Sequence, residues 1–213
     1  MHRARRGVRV AELAREVGVT PGLISQIERG QSRPSVSTLF ALAQALEVPV
    51  DAFFRESGEM PAARGAAGRI PADAAGAAGE PSPAAAANRY VVRRRDRAAI
   101  DIEGGVRWER LTPRTLDHLD FFELAYAPGA ESNPTLFTHP GTEMVVLLAG
   151  VLEISLGFEV HRLEAGDSME FPSTMPHRYS NPGGHPARAV TVILYDCPRD
   201  NVSPLPEDRR YHS

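Results

Sequence analysis

The chain of 213 residues carries 24 basic and 27 acidic side chains, a formal net charge of −3, and 42% apolar residues, the balance of a cytoplasmic globular protein with one large or two small domains. No stretch approaches the roughly 18 apolar residues of a membrane span, and the basic start runs into a periodic helix without a secretory apolar core. Every basic residue is Arg and the single Cys is Cys197, which excludes lysine Schiff-base chemistry, the P-loop lysine, an internal disulfide and a cysteine metal cluster, and leaves a buried thiol as the expected state of Cys197.

From Met1 to Arg33 the chain has seven Arg against three Glu, a basic face suited to nucleic acid. Val10, Leu13, Ala14 and Val17 form one amphipathic stripe, which Gly18 can close in the left-handed conformation. Thr20 then offers an N-cap, Pro21 suits a first helical turn, Ile24 and Ile27 face inward, and Gly30 ends the second helix. The pair, joined by a short turn containing Gly, has helix-turn-helix spacing. Ser35 caps a third helix with the stripe Val36, Leu39, Phe40, Ala43 and Leu46, which Pro49 should stop. Asp51 starts a last turn that should drop Phe53 and Phe54 onto the same core.

The segment "LISQIERGQSRPSVSTLFALAQAL" resembles the DNA-binding domain of the phage-repressor-like (XRE) regulators. The resemblance implies that the helix after Thr20 enters the major groove, with Ser25 and Gln26 on base edges and Arg29, Gln31 and Arg33 near phosphates. Gln can pair with adenine and Arg neutralises phosphate, in keeping with those roles. Gly22 stands where the family often presents a base-reading side chain, so direct readout should be sparse and DNA shape should matter more. The family also has a full helix before "VAELAREVG", where only "MHRARRG" precedes it here; a truncated first helix or an upstream start is expected.

From Ser57 to Asn88, 22 of 32 residues are Ala, Gly or Pro, too few large apolar groups to offset the entropy of ordering. Residues 57–88 therefore read as a flexible linker whose ends would lie roughly 30 Å apart, letting domains 1–56 and 89–197 orient independently. Beyond Arg89 short apolar or alternating segments, beginning with "LDFFELAYAPG" and ending with "ARAVTVILYD", stop at Gly, Pro, Asn or Asp. Seven such segments predict an all-β barrel or sandwich. Residues 198–213 read as a Pro-rich, polar tail.

Within the β region, Phe137, His139, Glu143 and Gly150 form one spaced group; Gly166, Pro172, His177 and Asn181 form another. Together they resemble the paired motifs of the cupins, small jelly-roll barrels, although Thr174 stands where the family usually has Gly. Cupin metal sites use two His and a Glu from the first motif and a His from the second; here Phe137 replaces one His. On a regular strand 137, 139 and 143 share one face, and His177 would arrive from a neighbour. Two His and one carboxylate make a facial triad, suited to Fe(II), with Zn or Mn as alternatives. The other reading is a hydrogen-bonded polar pocket without a metal, in which Glu143 accepts from His139 or His177. Trp108, Phe121, Phe122, Phe171 and Tyr179 are expected in the core, with Tyr179 also facing the pocket beside His177; His118, His161 and His185 are expected at the surface.

The fold expected is thus an N-terminal all-α helix-turn-helix bundle, a linker and a C-terminal all-β cupin. The function implied is a non-enzymatic transcriptional regulator that binds double-stranded DNA as a homodimer and senses a small effector, with no membrane association. An alternative is an enzyme resembling the non-haem iron cupin hydroxypropylphosphonate epoxidase, with His139, Glu143 and His177 holding iron.

Overall fold

The computed structural model describes residues 3, 6–54 and 90–195. The expected linker 57–88, Cys197 and the tail 198–213 lie outside the described residues.

Helix α1 (Val10–Val17) closes at Gly18, whose φ of 77° is left-handed and suits a residue without Cβ. Helix α2 (Pro21–Glu28) starts where the Thr20 hydroxyl accepts from the amide of Leu23. Helix α3 (Val36–Ala45) starts in the same way, with the Ser35 hydroxyl accepting from Thr38. These caps satisfy amide groups that the first helical turn leaves without acceptors. Pro49 is not what stops α3: the helix ends at Ala45, and the chain turns away through Glu47 at a left-handed φ of 44°. A short 3₁₀ turn, Val50–Phe53, follows.

Among the described residues, nine strands then form two antiparallel sheets. They are β1 (Ala99–Ile102), β2 (Val106–Arg110), β3 (Leu119–Tyr126), β4 (Thr142–Ala149), β5 (Val151–Leu156), β6 (Glu159–Glu164), β7 (Ser168–Pro172), β8 (His177–Ser180) and β9 (Ala187–Leu194). One sheet runs β1-β2-β3-β9-β4-β7 and the other β6-β5-β8, closing over a common core as a cupin jelly roll. The sequence pattern marks seven of these strands; β1 and β2 are additional, short and rich in charge. Alternation is clearest in β9, where Ala187, Ala189, Thr191 and Ile193 are buried and the residues between them are not, as period-2 patterning requires. Gly150 makes the β4–β5 corner at φ 80°, and a Cβ there would meet the Ala187 backbone at 2.8 Å. Phe121 departs from expectation: it is only half-buried, because its neighbour Phe122 takes the inward position of β3.

The two domains are in direct contact, contrary to the independent orientation expected from a long linker. Leu13, Ala14, Ile24, Leu42 and Leu46 form the helical core, whereas Val36, Leu39, Phe40, Ala43 and Val50 belong to the core of the barrel. Helix α3 therefore has two buried faces, and most of its predicted stripe faces the barrel. A row of apolar side chains fixes which face is buried, not what buries it. Polar contacts reinforce the seam. The amide of Val36 donates to the carbonyl of Ser132 (3.3 Å), that of Glu103 to Pro34 (3.0 Å), and the Ser37 hydroxyl to Asn133 Oδ1 (2.7 Å). Arg110 lies 3.4 Å from the buried carboxylate of Asp51, and Phe54 stacks on Phe122 with centroids 4.8 Å apart.

Candidate ligand site and exposed helix

The outward side of α2 is polar and open. Gly22, Gln26, Arg29 and Gln31 are exposed, Ser25 is half-buried, and Ile24 is turned into the helical core. Arg29 Nε donates to the side chain of Gln31 at 2.9 Å, so the two occupy one patch. Thr20 is spent on the cap. Arg33 is exposed as well, but its guanidinium lies 4.0 Å from Asp101 at the end of the barrel's first strand. That contact was invisible in the sequence because the pair is 68 positions apart.

The inward site is built from three elements. Glu143 lies near the start of β4 and His177 begins β8, while His139 comes from the irregular segment before β4. The shared parity of 137, 139 and 143 is therefore not what aligns them, since Phe137 and His139 are not on that strand. Phe137 is instead tied to β8, its amide donating to the carbonyl of His177 and its carbonyl accepting from the amide of His177 (3.1 and 2.9 Å); the amide of His139 donates to the carbonyl of Ser173 (3.0 Å). A turn thus brings His139 to a place that strand alternation does not specify.

All three side chains are 5% exposed or less. His139 Nε2 lies 3.4 Å and His177 Nε2 3.6 Å from the same oxygen, Oε2 of Glu143. The opposite ring nitrogens face backbone carbonyls, Nδ1 of His139 that of Pro140 at 3.1 Å and Nδ1 of His177 that of Met175 at 2.8 Å. This fixes Nδ1–H as the donor in each neutral ring and leaves both Nε2 lone pairs aimed at the centre. Oε1 of Glu143 is already engaged, accepting from the Tyr179 hydroxyl at 2.8 Å with the Thr191 hydroxyl at 3.1 Å. Burial pushes the Glu143 carboxyl up, but a protonated His139, through its hydrogen bond and charge, with the charge of His177 and the Tyr179 hydrogen bond, outweighs it and holds the group below its usual range. Burial also lowers His177, against the opposing effects of its Met175 contact and Glu143, which favours the neutral ring.

A divalent ion fits this donor set. One ligand atom from each residue lies within 4.8 Å of the others, and Nε2 of His177 is buried without a hydrogen-bond partner. Two imidazoles and a carboxylate at such spacing match bonds of about 2.0–2.2 Å to one centre. Phe137 flanks His177 at a ring-centroid distance of 4.8 Å, where the family's further His would stand. Asn181 supports the site from outside it, donating to the carbonyls of Tyr126, Ala127 and His185. His118 and His185 are exposed and His161 is half-buried.

The pocket has a lining that the motifs do not announce. Thr191, Trp108, Val36 and Phe40 all face it. Thr191 had a signal, as a polar residue at an inward position of an otherwise apolar strand. Val36 and Phe40 had none, because they come from the helical domain.

A helix-turn-helix bundle joined to a β-barrel with a buried two-His, one-carboxylate site defines the class, and comparison with known proteins agrees with it. Residues 2–53 match the helix-turn-helix family and residues 122–193 the cupin domain family. The chain is 25% identical over 193 residues, 91% of its length and 90% of the relative's, to the HTH-type transcriptional regulator SutR of Escherichia coli (strain K12). A 44-residue segment is 48% identical to an uncharacterized transcriptional regulator in the ATPase CF(0) region of Rhodospirillum rubrum, covering 21% of this chain and 41% of that one. The fold is shared with the crystal structure of an HTH_3 family transcriptional regulator from Vibrio cholerae, with a TM-score of 0.57, 21% identity and 92% of each chain covered. The chain thus joins an XRE-type helix-turn-helix domain to a C-terminal cupin domain, the arrangement of the transcriptional regulators it resembles. Among the described residues no helix is long and apolar enough to cross a membrane.

Proposed function

We propose that the protein is a cytoplasmic, sequence-specific DNA-binding regulator whose cupin domain forms a homodimer and binds a small effector, with no turnover. The carrying observation is the division of polar groups: Gln26 on α2 and Arg29 and Gln31 just beyond its end are exposed, while His139, Glu143 and His177 are enclosed in the barrel. In this reading α2 enters the major groove, with Ser25 and Gln26 on bases, Arg29, Gln31 and Arg33 at phosphates, and Thr20 and Gly22 setting the approach. A two-fold dimer then reads two half-sites about 34 Å apart or a multiple of that. His139, Glu143 and His177 hold an ion of the Fe, Zn or Mn type, which would supply open positions for an oxygen ligand. Tyr179 and Thr191 orient the Glu143 carboxylate, and Phe137 shields the flank.

The triad would equally suit an iron enzyme. Against that reading stand the exposed Gln26, Arg29 and Gln31 of a DNA reader; the pocket, with about 10 Å³ free at its centre, has room for about one water molecule and, as docked, for neither a substrate nor an effector.

Selection from a random double-stranded DNA pool tests the first half of the proposal. Enrichment of a two-fold symmetric sequence is the expected result; no enrichment refutes DNA reading by α2, and one asymmetric site refutes the dimer. Metal analysis of protein purified without chelator tests the second half. One ion per chain is expected, lost on changing His139, Glu143 or His177 to Ala while the fold persists.

A further inference from the structure

Phe40 belongs to the DNA-binding domain, yet it roofs the polar centre of the barrel. Its ring lies flat on His139, centroids 4.0 Å apart and planes 4° from parallel. Trp108 meets it edge-on at 6.2 Å, and Phe137 lies 6.1 Å away. Val36, one turn earlier on α3, lines the same cavity. The small space left in the pocket is therefore a consequence of docking: the volume of a benzyl group is filled by a side chain that is not part of the barrel.

What lies beneath that ring restricts what can replace it. Both Nδ1 atoms face backbone carbonyls, so each ring in its neutral form presents an Nε2 lone pair beside the Oε2 of Glu143. Three acceptors converging on one point call for a cation or a hydrogen-bond donor. Above them the slot between His139, Phe137 and Trp108 has aromatic walls that suit a flat ring.

We propose that Phe40 is a built-in plug standing where the ring of a hydroxyaromatic effector would lie, so that such an effector and the docked helix α3 exclude one another. The proposal rests on the reading of the barrel as an effector-binding domain. The effector's ring stacks on His139 in place of Phe40, and its hydroxyl points into the triad, donating toward Glu143 Oε2 or an Nε2 in the metal-free protein. Withdrawal of Phe40 also separates Val36 from Ser132 and Ser37 from Asn133. It carries away the Arg33–Pro34 loop, whose contacts with Asp101 and Glu103 hold it on the barrel. Binding in the barrel thereby reaches the residues assigned to phosphate contacts. Because only the undocked form accepts the effector, apparent affinity is reduced by the fraction of molecules in that form.

Phenol is the probe, titrated calorimetrically into full-length, metal-stripped wild type, Phe40→Ala and Phe40→Leu. Phe40→Ala should bind it at least about tenfold more tightly than wild type, with Phe40→Leu between them, since removing the plug removes the cost of displacing it. A misfolded variant loses binding, so a gain cannot come from unfolding. In wild type, saturating phenol should speed hydrogen exchange at the amides of Val36 and Glu103, whose acceptors lie across the seam. Equal affinities with unchanged exchange would leave the barrel as an effector site and overturn the plug. If none of the three binds phenol, the hydroxyaromatic reading of the site falls, and the plug with it.

Discussion

The helical domain and the barrel keep their chemistry on opposite sides of their own surfaces. In the helical domain the apolar side chains of α1 and α2 point in, and Gln26, Arg29 and Gln31 point out. In the barrel the outer face of the first sheet carries ion pairs: Arg97 and Arg188 lie 2.7 and 2.6 Å from Glu123, and Arg107 lies 2.9 Å from Asp101. The interior of the barrel holds the two His and Glu143. An outward site on a helix needs only local geometry, because the helix period places its residues together. An inward site is assembled from distant segments and depends on closure. Helix α3 is where the two designs meet, since it completes one core and caps the other.

The largest expected effect tests that shared role. Phe122 is fully buried, stacked on Trp108 at 5.6 Å and on Phe54 of the helical domain. Phe122→Ala should cost about 3–5 kcal/mol in chemical denaturation, as large-to-small changes in packed cores do, and should loosen the helical domain along with the barrel. A loss confined to the barrel signals would show that the domains unfold independently.

This division also explains how legible the molecule was. The caps at Thr20 and Ser35, the closing Gly18 and the alternation of β9 are local, and each appears in the sequence as a residue type at a fixed offset. Convergence of His139, Glu143 and His177 was readable through the resemblance, but the parity argument was not the cause: an irregular segment and cross-chain hydrogen bonds place His139. The partner of α3 was not readable at all. Val36, Leu39, Phe40 and Ala43 satisfy helix periodicity against either core, and which core receives them is a tertiary choice across a linker.

A smaller effect concerns the acid at the seam. Burial, reinforced by the charge of Asp51 and opposed by the Tyr195 hydroxyl and His139, pushes Asp120 up to about 7 from an ordinary 3.8. Between those two values the folded chain keeps a proton that the unfolded chain releases. Stability should therefore be full below the lower value and fall as pH rises through 7, by at most about 1.4 kcal/mol per pH unit from this group. Asp51 is raised as well, chiefly by burial and against Arg110 and Thr115, so it adds to the same slope. Asp120→Asn should flatten the dependence in denaturation curves between pH 5 and 8. An unchanged slope would place the titration elsewhere.

The outward face is tested by two substitutions that should differ in kind. Gln26→Ala should cost about 1–3 kcal/mol on the cognate sequence and little on random DNA, whereas Arg29→Ala should weaken both alike and lower the salt dependence. Equal losses from both on specific and random DNA would remove α2 as the reading helix.

The smallest effect is expected where the two faces touch. Arg33 and Asp101 are 4.0 Å apart, with side chains 59% and 46% exposed, and a pair so open to water contributes about 0–1 kcal/mol to stability. Its weight lies in competition. In the docked arrangement the Asp101 carboxylate sits beside a guanidinium assigned to phosphate, and it adds negative charge where DNA would approach. Asp101→Asn should leave the denaturation midpoint nearly unchanged while strengthening binding to all sequences modestly, most at low salt, where charges of this kind are least screened. Arg33→Ala should act in the opposite direction on the same fluorescence anisotropy titrations. If Asp101→Asn leaves DNA affinity unchanged at every salt concentration while Arg33→Ala weakens it, the pair opens at no cost on binding. If neither changes affinity, the loop at Arg33 does not reach the phosphates, and the DNA face of this domain is confined to α2.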